Sequence, residues 1–94
     1  MKPHRAKIGR ALAALEELGC LARRPLADYL QEGLYELRVA VEGQQHRLLY
    51  FFQGQEIIVV ASAFLKKDSA VPAEELALAR RRRTDWLERF GGKT

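Results

Sequence analysis

Ninety-four residues, 48% of them hydrophobic, carry a net charge of +4 and a pI near 9.6. That is enough apolar mass for one small domain, residues 1–94, and too much for a disordered tail. The single cysteine, Cys20, excludes an internal disulfide, no apolar run reaches membrane-spanning length, and no signal-peptide pattern precedes the first helix, so the expectation is a cytoplasmic domain with no membrane partner.

In chain order, Ile8, Leu12, Leu15 and Leu18 recur at helical spacing with alanines between them, which predicts an amphipathic helix from about Arg5 to Leu18. Gly19 suits a left-handed cap after it. Arg23-Arg24-Pro25 breaks the chain. Pro25 can open a second short helix, Pro25 to Gln31, with Leu26, Tyr29 and Leu30 as its apolar contacts and Gly33 ending it. Strands follow at roughly Leu34–Val41, His46–Gln53 and Glu56–Ala63, joined by a turn at Glu42-Gly43-Gln44-Gln45 and a tight connection at Gln53-Gly54-Gln55. The last strand, with Ile57 to Ala61 apolar on both faces, should be covered on both sides or central. After the Lys66-Lys67-Asp68 loop, Pro72 and the acids Glu74 and Glu75 open a C-terminal helix that runs to about Phe90, before Gly91-Gly92. The order is α-α-β-β-β-α, an α+β domain with two N-terminal helices, an antiparallel sheet of at least three strands and a C-terminal helix.

Strands alternate their side chains between two faces. Tyr35, Leu37, Val39 and Val41 therefore share one face of their strand, and Glu36 and Arg38 the other. Arg47 on the next strand can add a second guanidinium, and Lys66 and Lys67 two ammonium groups. Several cations with few carboxylates on a small sheet suit a phosphodiester ligand, RNA first. Arg80 to Arg83 is the loudest charge run. Its four residues point in four directions around a helix, so it cannot form one patch alone. It reads as a solvated helix with long stems over apolar surface, or, through Arg80 and Arg83 among others, as a contact for RNA or an acidic partner. Cys20 reads as a small buried apolar residue and His4 as an end residue. Scattered histidines and one cysteine give no metal-ligand pattern, and nothing calls for a cofactor.

The order of elements and the motifs resemble the RelE/HigB-type toxins of bacterial type II toxin–antitoxin systems, in their phage-derived HigB-like branch. The residues that carry this are Arg5-Ala6-Lys7-Ile8, Gly33-Leu34-Tyr35-Glu36-Leu37-Arg38, Arg47-Leu48-Leu49-Tyr50-Phe51-Phe52, Phe64-Leu65-Lys66-Lys67 and Pro72-Ala73-Glu74-Glu75. The resemblance covers about Arg5 to Arg83. It implies a ribonuclease that cuts mRNA, commonly on the ribosome, and a helix-turn-helix antitoxin as partner. It also implies an opening strand before the first helix, and here the helical pattern starts almost at Met1. The expectation is a sheet edge that a partner strand fills, from an antitoxin or from a second copy in a homodimer. Family members often use a late histidine or tyrosine, and Phe51 to Thr94 contains neither.

Metal-free RNA cleavage uses the neighbouring 2′-hydroxyl as nucleophile. It needs a proton acceptor, a proton donor for the leaving oxygen, and cations for the charge on the phosphoryl oxygens. Arg38 and Arg47 suit the cation role because guanidinium pairs bidentately with phosphate. Lys66 and Lys67 can assist or hold flanking phosphates. Glu36, His46 and Tyr50 are the candidates for proton transfer. Glu36 reads first as a structural or ion-pair partner of Arg38 and second as a general base, while Tyr50 reads equally as core and His46 as a bystander. The competing function is a degenerate toxin-like module that binds RNA or antitoxin without cleavage.

Overall fold

The computed structural model describes residues 2–54, 57–67 and 70–91. The expected turn residue Gln55, the expected strand start Glu56, Asp68 of the lysine loop and Gly92 lie outside the described residues.

Helix α1 spans Lys2–Leu18, and Gly19 follows with φ +56° as its left-handed end. Four strands come next: β1 (Ala27–Gln31), β2 (Leu34–Val41), β3 (Gln44–Gln53) and β4 (Ile57–Leu65). They form one antiparallel sheet in the order β1-β2-β3-β4. Helix α2 (Ala73–Trp86) begins after Pro72, with Glu74 and Glu75 in its first turn, and continues as a π-helical turn over Leu87–Gly91. The order and layering are broadly RelE/ParE-like.

The second N-terminal helix expected over Pro25 to Gln31 is not formed, because Ala27–Gln31 is an edge strand. Glu32 and Gly33 both have positive φ, +52° and +81°, and make the two-residue turn that folds β1 back on β2. The helical spacing of Leu26, Tyr29 and Leu30 has another origin. Leu26 lies in the turn before β1 and joins the core under α1, whereas Leu30 alternates with Ala27 and Tyr29 along the strand and joins the core under α2.

Each face of the sheet is packed by one helix. On one side Leu15, Leu37, Val39, Leu48 and Tyr50 form a core with Ile8, Ala11 and Leu12 of α1. On the other, Leu34, Leu49, Phe51 and Ala61 pack with Leu76, Ala79 and Trp86 of α2. Burying each such aliphatic or aromatic side chain stabilises the fold by roughly 1.5–3 kcal/mol. Trp86 also donates through Nε1 to Gln53 Oε1 at 2.6 Å, tying the end of α2 to the end of β3.

The strand expected to be covered or central is instead the second edge. Ile57, Val60 and Leu65 of β4 remain more than 40% exposed: Val60 and Leu65 because α1 lies over β2 and leaves the outer part of its face open, and Ile57 at the strand end on the α2 side. Cys20, expected in the core, is exposed in the short helical turn after Gly19.

Candidate functional site

Register puts Arg38 directly opposite Arg47 on β2 and β3, on the α2 side of the sheet. Like charges in that position repel. Arg47 is 4% exposed. Its Nη1 donates to the His46 carbonyl at 2.9 Å and its Nη2 to Gln45 Oε1 at 3.3 Å. Burial pulls its pKa down, the Glu36 carboxylate pushes it up, and Arg38 pulls it down again. Arg38 is half-buried, and among the described residues its guanidinium has no hydrogen bond or ion pair.

Glu36 shares this face and is 3% exposed. Its Oε2 lies 3.5 Å from Arg47 Nε and 3.7 Å from Lys66 Nζ. Its ion-pair partners are therefore Arg47 and Lys66, and not Arg38. Neither Glu36 Oε2 nor Arg47 Nε makes a hydrogen bond. The Lys66 amide donates to the Gln45 carbonyl at 2.7 Å, which fixes this backbone beside β3. Lys67 next to it is exposed.

Arg24, which the sequence reading took only as part of a chain break, completes the group. It lines a depression of about 310 Å³ with Arg38, Ala40, Gln45 and Arg47. Its Nε and Nη2 donate to Asp28 Oδ2 at 3.0 and 2.8 Å, and that hydrogen bond is the main reason the Asp28 pKa is lowered. The signal available in the sequence was a basic residue just ahead of a strand, visible only once β1 is recognised as a strand.

The other two proton-transfer candidates are on the opposite face. Tyr50 is 1% exposed and stacks on Tyr35 with ring centroids 5.3 Å apart. Burial first, and Tyr35 second, raise its pKa to about 12. His46 Nε2 lies 3.0 Å from His4 Nδ1, and His4 Nε2 lies 3.3 Å from Glu42 Oε1. His4 is thus built into the fold through the start of α1.

The arginine run fans out as a helix requires. Arg80 pairs with Glu32 at 3.0 Å, Arg82 donates to the Ala61 carbonyl at 2.6 Å, and Arg83 packs its guanidinium on Gly33. Arg80 and Arg83 therefore lie beside the β1–β2 turn and not beside Arg38.

Among the described residues no group of three or more His, Cys, Asp or Glu is arranged to hold a metal ion. No described helix is long and apolar enough to cross a membrane. The site offers a cationic surface on which, among the described residues, the Arg38 guanidinium makes no hydrogen bond or ion pair. Residues 2–84 match the family described as Phage derived protein Gp49-like (DUF891). The chain belongs to that family. The match takes in the whole sheet and nearly all of α2, so every residue of the cation face lies within the Gp49-like region. No curated protein matches the chain.

Proposed function

We propose that this phage-derived chain is the toxin of a type II toxin–antitoxin pair of the RelE/HigB kind, an mRNA endoribonuclease that works on translating ribosomes and is held in check by a helix-turn-helix antitoxin. The observation that carries the reading is the Arg38–Arg47 pair, two cations opposed on neighbouring strands beside an open depression. An anion between them would relieve the repulsion, and a phosphodiester is the anion that guanidinium groups bind best. In this reading Arg38 meets the phosphate directly and stabilises charge on its non-bridging oxygens during attack by the 2′-hydroxyl. Arg47, buried behind it, holds the local field positive. Lys66 and the exposed Lys67 flank the strand of RNA, and Arg24 guards the far rim.

A second reading is favoured by one specific observation. His46 and Tyr50 face away from Arg38, and Glu36 is engaged by two cations. A module that binds RNA or an antitoxin without cleaving is therefore the alternative. Purified chain added to a translating extract separates the two. Cleaved mRNA that is lost with Arg38→Ala supports the toxin. RNA retained on the chain but left intact supports the binding module. Co-expression with the adjacent reading frame, scored by growth, tests the antitoxin.

A further inference from the structure

We propose that Glu36 is a positioning residue whose buried carboxylate places Arg47 and Lys66 on the cation face, and that it takes no proton from RNA. The proposal rests on the RNA-binding reading above and assigns Glu36 its part in it.

Three elements meet at this carboxylate. Glu36 is on β2, Arg47 on β3, and Lys66 in the segment that leaves β4. One oxygen, Oε2, faces both cations, at 3.5 and 3.7 Å. A general base needs access to the proton it removes. This one is 3% exposed, and its Oε2 faces two protein cations rather than open solvent where a substrate hydroxyl could reach it. Without Glu36, Arg47 would be a buried guanidinium facing Arg38 with no counter-charge.

The effect on Lys66 is more specific. Lys66 and Lys67 are adjacent, yet the Lys66 side chain is only 13% exposed and turned to Glu36, while Lys67 is exposed. The carboxylate selects which lysine points into the site. Two cations on one anion leave one positive charge over, and Arg38 adds another. Phosphate is met by Arg38, in a field set by the Arg47 and Lys66 that Glu36 holds in place.

The sign of one experiment decides the matter. Neutralising an acid near an RNA site strengthens binding if only net charge counts. Positioning predicts the reverse. Glu36→Gln should bind a single-stranded RNA oligonucleotide about tenfold more weakly, the effect of losing one well-placed charged contact. Its salt slope should also be shallower by roughly one phosphate contact. A melt confirms that the variant is folded at the assay temperature, and loss of stability alone would leave that slope unchanged. Glu17→Gln, which removes an exposed acid of α1 away from the cation face, should bind as tightly as the native chain or more so. Glu36→Asp, which keeps the charge, should recover part of the loss. Binding by Glu36→Gln as tight as native overturns the proposal.

A second readout needs no RNA. With an amine-acylating reagent on the native chain, Lys66 should react more slowly than Lys67, and in Glu36→Gln the two should react alike. Equal rates in the native chain overturn the positioning role. A protected Lys66 in a chain that binds no RNA would sink the RNA reading and leave the positioning role standing.

Discussion

Arg38 and Arg47 stand opposite each other, yet replacing them should have different consequences. Arg38 is half-buried and, among the described residues, makes no hydrogen bond or ion pair, with only the field of Asp28 to offset Arg47, so Arg38→Ala chiefly relieves repulsion. Its melting temperature should equal or exceed that of the native chain, while mRNA cleavage falls roughly 10²-fold, as for the loss of one preorganised donor. Arg47→Ala takes a buried partner from Glu36 and should cost about 3 kcal/mol of stability in a denaturant titration. Equal stability losses for the two would refute the distinction. Tyr50 supplies a pH test. Its pKa is raised to about 12 by burial, whereas an unfolded tyrosine titrates near 10. The unfolded state therefore releases its proton first as pH rises. The stabilisation is complete below about pH 10 and is lost as pH rises toward 12. Tyrosinate absorbance should show Tyr50 ionising last, together with alkaline unfolding, and Tyr50→Phe should move that unfolding to higher pH.

The two hairpin turns are near-copies. Glu32-Gly33 and Glu42-Gly43 share φ values of +52°/+81° and +52°/+80°. A Cβ at Gly43 would meet open space, whereas one at Gly33 would stand 2.9 Å from Arg83 Nη2. Gly43→Ala should therefore cost only the left-handed backbone strain, about 1–2 kcal/mol. Gly33→Ala should cost more, and Gly33→Ala combined with Arg83→Ala should bring the difference back toward zero in a double-mutant cycle. The two sheet edges differ as well. β1 is five residues long, irregular in register, and carries Asp28. β4 is nine residues with no charge and no proline, and it exposes Ile57, Val60 and Leu65. An edge with so little protection recruits strands. Sedimentation should show concentration-dependent association of the isolated chain, and Val60→Lys should abolish it while Tyr29→Lys on β1 should not.

At the scale of the whole molecule, a sheet with one helix packed on each side divides the charges by face. The α2 side carries Arg38, Arg47 and Lys66 around Glu36, and the α1 side carries the His4–His46 contact and the tyrosine stack. With a net charge of +4, RNA affinity should fall with added salt. Three phosphate contacts correspond to a slope of roughly −2 in a plot of log affinity against log salt. A flat response in a filter-binding series would favour a protein partner over RNA.

Much of this fold is local, and that part was legible in the sequence. The helical period of α1, the strand β2 and the division of Tyr35, Leu37, Val39 and Val41 from Glu36 and Arg38 follow from the 3.6- and 2-residue repeats, and the start of α2 from Pro72 and its first-turn acids, all of which neighbours along the chain set. Where the period was ambiguous, as in Leu26, Tyr29 and Leu30, the reading chose a helix, and only pairing with β2 made it a strand. The rest depended on which strands lie side by side. Sheet order made β4 an edge, register set Arg38 against Arg47, and the approach of the segment after β4 gave Glu36 a lysine. His4 and His46, 42 positions apart, met only because α1 crosses the sheet where β3 begins. Residue types determined which groups could form a cation face. Long-range pairing decided which of them did, because a contact between distant positions has no period to betray it.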